Sequence, residues 1–189
     1  VLVHYVLDMA EIPTFQESQE HGLVTEPGHP SVAPWLARMT TSLARGLRVE
    51  VGGRHLALTP AATEILFPPG AGGLPTLKLG VVYRARIEPA PAGSIELRYV
   101  DENFADRTGW KEIVVRAGAG VTLISSTAPA TDRSRELSDY PVDLLNSPPQ
   151  DLTARVAFSR TAIAAAPATP APPSTAVGSS SAPASSTSP

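Results

Sequence analysis

The clearest pattern in the chain runs through residues 76–88. Leu77, Leu79, Val81, Tyr83, Ala85 and Ile87 alternate there with Thr76, Lys78, Gly80, Arg84, Arg86 and Glu88, and Val82 is the single apolar exception. Period two with one wet face predicts an antiparallel strand lying over a core. Ile95, Leu97 and Tyr99 alternate with Ser94, Glu96 and Arg98 in the next run. Residues 89–93 supply Pro and Gly between the two runs, so together they predict a hairpin. A second hairpin is predicted for residues 47–51 and 54–58, which are separated only by Gly52-Gly53, a loop suited to the positive φ angles of a tight turn. Residues 2–7, 64–67, 112–116, 121–125 and 152–158 are further strand candidates, several of them rich in β-branched side chains.

One helical stripe interrupts this alternation. Trp35, Met39 and Leu43 fall four residues apart within residues 31–45. Ser31 is placed as N-cap, Pro34 fits the first turn, and Gly46 fits a left-handed C-terminal position. A shorter helical turn is expected over residues 132–140, stopped by Pro141. Many short strands with Gly/Pro punctuation and one or two short inserted helices predict a mainly β fold, an immunoglobulin-like antiparallel β-sandwich, over residues 1–160. Residues 161–189 hold no charged side chain and almost nothing larger than Ala. Such a segment cannot offset its ordering entropy by burial, so it is expected to be a disordered Pro/Ala/Ser linker, with a reach of about 90 Å if extended.

Composition narrows the function more than the fold. A formal net charge of -3 offers no footprint for a phosphate backbone, which argues against nucleic acid as a partner. The absence of Cys removes disulfides, thiolate nucleophiles and thiolate zinc sites. No apolar run approaches the ~20 residues of a membrane span, and no apolar segment follows a basic N-terminus as in a signal peptide. Because Val1 opens inside a predicted strand, the chain reads as a fragment whose true start lies upstream.

Candidate chemistry is sparse. Glu17, Glu20, His21, Glu26 and His29 recur within one stretch read as a flexible loop; imidazole and carboxylate donors suit Ni²⁺, Co²⁺ or Zn²⁺, although their spacing matches no rigid metal motif and a solvated loop is the plainer reading. Asp101, Asn103 and Asp106 offer oxygen ligands for Ca²⁺ but lack the Gly turn and closing Glu of a calcium loop; the plainer reading is a polar loop over a buried Phe104. Asp8 and Glu11 form an imaginable acid/base pair, which would need a cleft that pushes their pKa values apart. With His only at 4, 21, 29 and 55 and no nucleophile elbow, a hydrolase triad lacks support and the domain reads as non-enzymatic. The Gly-rich residues 67–74 precede a strand rather than a helix, so they read as a specially shaped connection and not as a phosphate cradle. Trp110 is assigned to the core in preference to an exposed stacking platform.

Several stretches taken together resemble a known family. They are Tyr5-Val-Leu-Asp-Met-Ala-Glu-Ile-Pro-Thr-Phe-Gln-Glu17, Pro69-Gly-Ala-Gly-Gly-Leu-Pro-Thr-Leu77, Gly109-Trp-Lys-Glu-Ile-Val-Val115, and Ser126-Thr-Ala-Pro-Ala-Thr-Asp-Arg133 with Tyr140-Pro141 and Leu144-Leu-Asn-Ser-Pro-Pro149. In this order they are similar to the N-terminal extracytoplasmic region of bacterial high-affinity nickel/cobalt transporters of the efflux type. The resemblance implies an accessory domain on the extracytoplasmic side of the cell membrane. It also implies Ni²⁺ or Co²⁺ as the transported ion, and a transmembrane partner domain beyond the C-terminal linker. It assigns no transport residue by number, because the family's transport His and Asp lie within membrane spans. Family members carry a His-Pro-Leu-Gly-Asn-like strand before the counterpart of Val1, so the Leu2 side of the sandwich is expected to be an unpaired edge. Two other classes stay open: an exported binding or adhesion module using exposed aromatics such as Trp110 or Tyr140, and an enzyme domain centred on Asp8 and Glu11.

Overall fold

A computed structural model describes residues 1–88 and 93–160. The linker expected over residues 161–189, and most of the turn expected over residues 89–93, lie outside the described residues. In chain order the elements are β1 (Leu2–Met9), α1 (Glu11–His21), α2 (Val32–Arg45), β2 (Leu47–Val51), β3 (Arg54–His55), β4 (Thr59–Leu66), β5 (Leu77–Arg84), β6 (Ile95–Asp101), β7 (Val121–Ser126) and β8 (Thr153–Arg160), with single 3-10 turns at Ala71–Gly73 and Val142–Leu144. The strands form two antiparallel sheets, one in the order β1-β5-β4 and the other in the order β3-β2-β6-β8-β7. The fold is therefore mainly β, a two-sheet antiparallel sandwich carrying two helices.

The alternation in β5 does what period two demands. Leu77, Leu79, Val81 and Tyr83 are fully buried, while Lys78, Gly80 and Val82 face the other way and are half-buried. Across the core lies Leu47 of β2, and Trp35 and Leu43 of α2 close one end, each only 1% exposed. Burying each such side chain contributes ~1.5–3 kcal/mol. The hydroxyl of Tyr83 donates to the Thr40 carbonyl at 2.7 Å, so the one polar atom this strand sends inward is satisfied. A second cluster, Val51, Ile95, Val156 and Phe158, lies under the five-stranded sheet.

Several expectations are corrected. The strands at 76–88 and 95–99 form as read, but not as a hairpin. β5 is already paired on both sides by β1 and β4, so the chain crosses to the other sheet and β6 lies between β2 and β8. Alternation reports a buried face and is silent about the neighbour on each edge. The Gly52-Gly53 turn is present, with φ of 56° and 76°. The helix expected at 132–140 is absent: Arg135, Glu136 and Leu137 all have φ near +50 to +57°. The segment coils instead around Ser134, whose carbonyl accepts the Ser138 and Asp139 amides. Ser31 makes no side-chain cap to α2 and instead accepts the Val24 amide at 3.0 Å.

Gly46 is needed for space and not for a left-handed φ, since its φ is -81°. Asn103 Nδ2 donates to the Leu43 carbonyl at 3.0 Å and caps the end of α2, and its side chain occupies the place where a Cβ on residue 46 would sit. Gly46→Ala is expected to cost ~1–3 kcal/mol by forcing Asn103 out of its cap. Thermal unfolding followed by circular dichroism measures it, and an unchanged midpoint would show that the close approach is not required.

Candidate binding groove beside the first strand

Residues 1–10 form one wall of a cleft of about 1380 Å³, and residues 107–118 form the other. Leu97, Val156 and Phe158 of the five-stranded sheet lie at its apolar base. The second wall coincides with the strand expected at 112–116. It makes an isolated bridge between Lys111 and Gln150, but no ladder forms beyond it.

Glu112 organises that wall. Its carboxylate, only 4% exposed, accepts the Arg133 amide and Arg133 Nε at 2.9 Å each, Trp110 Nε1 at 3.0 Å and Ser134 Oγ at 2.8 Å. Arg133 also reaches Asp151 Oδ2 at 3.1 Å. Burial alone would raise the Glu112 pKa; the bonds from Arg133, Trp110 and Ser134 overcome it and hold the carboxyl down at about 2. A carboxylate so fully engaged fixes the wall in place and has no lone pair free for acid/base work.

Aromatic contacts bridge the two walls. The Tyr140 hydroxyl donates to Asp8 Oδ2 at 2.8 Å, and its ring meets the edge of Trp110 with centroids 5.5 Å apart. Burial, then the Asp8 carboxylate, pushes the Tyr140 hydroxyl pKa well up. Glu11 accepts the Ala71 amide at 2.7 Å, and that bond lowers its pKa. This contact explains the shaped Gly-rich connection: a Cβ on Gly70 would overlap the Glu11 side chain. Deeper in the cleft, Asp101 stands beside Tyr5 and Tyr99, and burial raises the pKa of all three groups.

The residues singled out in the sequence are distributed as follows. Asp8 and Glu11 both border the cleft, but they bond to Tyr140 and Ala71 and form no pair with each other. Asp101 Oδ1 accepts the Asn103 amide at 2.8 Å while Asn103 caps α2, so these two shape a helix-ending turn; Asp106 is exposed. Phe104 is half-buried, and Trp110 is half-buried on the cleft and not in the core.

The stretch read as one flexible loop around residues 17–29 is helical as far as His21. Gly22 ends α1 in the left-handed conformation, φ 62°, and Leu23 is buried at 1% exposure. Glu17 and His21, one turn apart, approach to 3.7 Å, but Glu17 also accepts Trp35 Nε1 at 3.0 Å. His29 Nδ1 is engaged by Ser31, while Glu20 and Glu26 are exposed. Among the described residues no three His, Asp or Glu side chains are grouped to hold an ion.

Sequence reasoning missed Glu112, Arg133, Ser134 and Asp151. The only local signal was one carboxylate beside the apolar run Ile113-Val-Val115, and nothing in the spacing names its partner 21 residues on. Compared with known proteins, the chain matches no family model, no curated protein and no solved structure.

Proposed function

We propose that this chain is the extracytoplasmic accessory domain of a nickel/cobalt transporter, held beside a membrane-embedded partner domain through the linker of residues 161–189. One observation supports the reading. The stretches that carry the resemblance, scattered from Tyr5 to Pro149, meet around a single cleft: Asp8 with Tyr140, Glu11 with Ala71, Glu112 with Trp110 and Arg133, and the Lys111 amide with the Pro149 carbonyl at 2.9 Å. Residues far apart in sequence are thereby joined at one place. The cleft carries a rigid hydrogen-bonded wall and an open strand, which suits holding a polypeptide contact more than presenting an ion.

The reading frame beyond Pro189 tests the proposal: several apolar helices bearing intramembrane His and Asp are expected, and a stop codon without spans overturns it. Calorimetric titration of Ni²⁺ or Co²⁺ into the 189-residue chain checks the division of labour. Equal heats are expected from the parent and a His21→Ala/His29→Ala variant. Heat lost in the variant would give metal binding to the residue 17–29 segment.

A further inference from the structure

Three consecutive residues with side chains, Arg135, Glu136 and Leu137, hold φ of 49°, 57° and 57°. The left-handed region crowds Cβ against the following carbonyl, and outside Gly it is visited by single residues and not by runs. A run of three stores strain, which persists only where surrounding bonds over-determine it. Those bonds lie at the root of the segment. Ser134, 2% exposed, donates from Oγ to Glu112 at 2.8 Å and accepts the Leu137 amide at 3.3 Å. Its carbonyl takes the Ser138 and Asp139 amides at 2.9 and 3.0 Å, and Asp132 Oδ2 takes the Glu136 amide at 3.0 Å.

The tip is held less firmly. Lys78 Nζ donates to Ser138 Oγ, the Tyr140 hydroxyl donates to Asp8 Oδ2 at 2.8 Å, and Glu136 stands 3.6 Å from His4 Nδ1. All three contacts are exposed to solvent, and exposed polar pairs contribute little. A strained turn is thus fixed at a buried root and fastened to the three-stranded sheet by weak bonds alone.

The sheet offers two of those fastening residues another partner, each other. Asp8 of β1 and Lys78 of β5 stand directly opposite in the antiparallel register, and their neighbours Met9 and Leu77 are buried, so both side chains leave the core on the outer face. Opposite charges so placed, with Cβ atoms ~4.5–5.5 Å apart, attract across the strands. The segment keeps them apart: among the described residues Lys78 bonds to Ser138, Asp8 bonds to Tyr140, and no ion pair joins the two.

We infer that residues 135–140 are a two-state strap that works by exchange of partners. Docked, it is left-handed and holds Lys78 and Asp8 through Ser138 and Tyr140. Lifted, residues 135–137 relax to ordinary backbone angles, the amides of residues 136–139 lose their acceptors, and Asp8 pairs with Lys78. Ser134 stays on Glu112 in both forms and serves as the pivot. Each bond lost on lifting has a counterpart in relieved strain or in the new ion pair, so the two forms lie close in free energy. A partner that binds one form better shifts the balance by that difference in affinity. Lifting also parts the Tyr140 ring from Trp110, on which it packs at 5.5 Å, and uncovers both aromatics.

Amide hydrogen exchange, read residue by residue on the 189-residue chain, tests the strap. The amides of Glu136, Leu137, Ser138 and Asp139 are expected to share one opening equilibrium and to exchange faster than those of β5. Four unrelated rates would overturn the single unit. Ser138→Ala and Lys78→Met remove the same bond from its two ends and separate a switch from a plain contact. Ser138→Ala weakens only the docked form and should speed exchange of the remaining strap amides about fivefold. Lys78→Met takes a partner from both forms, so exchange should stay within about twofold of the parent. Equal acceleration by the two variants overturns the exchange of partners. Arg135→Gly relieves the left-handed strain and should slow exchange about threefold, even though Gly gains freedom in the lifted form. Unchanged or faster exchange in that variant overturns the stored strain. None of these rates depends on whether membrane spans follow Pro189, so the strap and the transporter reading fail separately.

Discussion

Trp35→Ala is expected to destabilise the chain by ~3–5 kcal/mol, enough to remove much of the stability of a domain this size. Trp35 is 1% exposed and packs in the cluster that holds Leu43 of α2, Leu47 of β2 and the inner face of β5. Its indole also ties the two helices together, because Nε1 donates to Glu17 Oε2 at 3.0 Å. Truncation therefore leaves a large cavity and a half-buried Glu17 carboxylate without its donor. Trp35→Phe separates the two effects: most of the ring volume stays and the N–H is lost, for an expected cost of ~1–2 kcal/mol. Urea unfolding followed by circular dichroism measures both. A Trp35→Ala cost below about 1 kcal/mol would mean that the helix pair is not docked on the sandwich as described.

Much of the strand framework was legible because alternation is a physical record of burial. β1, β2, β5, β6, β7 and β8 were each read close to their observed positions, as was α2 from the Trp35, Met39 and Leu43 stripe. What could not be read was partnership. Nothing in residues 76–99 says that β5 already has two neighbours, so the hairpin with β6 was a natural but mistaken step. α1 was overlooked because its face is weakly patterned: Ile12 and Phe15 are exposed, and its one buried side chain is Thr14, whose hydroxyl donates to the Met9 carbonyl at 3.2 Å. The groove follows the same rule. Asp8, Glu11 and Trp110 were picked out one by one, but the bond from Tyr140 to Asp8 spans 132 positions and leaves no trace in local spacing. The expected strand at 112–116 is instructive in another way. Its β-branched composition is real, but its backbone bonds go to irregular segments, the Lys111 amide to Pro149 and the Val115 amide to Pro129, and no ladder forms.

Stability is expected to fall as the pH drops from about 4.5 toward 2, and Glu112 is expected to account for a large part of that fall. Its folded pKa is held down at about 2 against an ordinary value of 4.5. For a depressed carboxyl the unfolded chain takes up the proton first, so the stabilisation is fully present above pH 4.5 and is lost through the window down to 2. Because Arg133 is 36% exposed and water screens that end of the network, the contribution is set at ~2 kcal/mol, below the value the full shift would give. Asp101 carries the opposite sign, since burial raises its pKa and protonation there favours the folded chain. The total acid curve therefore mixes the two, and the comparison between parent and Glu112→Gln isolates one of them. The Gln variant keeps the size of the side chain but presents an N–H₂ group among four donors, so at pH 7 it should be less stable by ~2 kcal/mol. Its chemical-denaturation free energy should then change less between pH 5 and 2.5 than the parent's does. Glu112→Ala removes every acceptor and leaves Ser134 Oγ, Trp110 Nε1 and the Arg133 amide without their partner, while the Arg133 guanidinium keeps Asp151, and ~3–5 kcal/mol is expected. If Glu112→Gln reproduced the parent's acid slope, the low pKa would be refuted. The wall of the cleft would then owe its rigidity to Arg133 with Asp151 alone, a pair whose members are both more than a third exposed and which could contribute only ~0–1 kcal/mol.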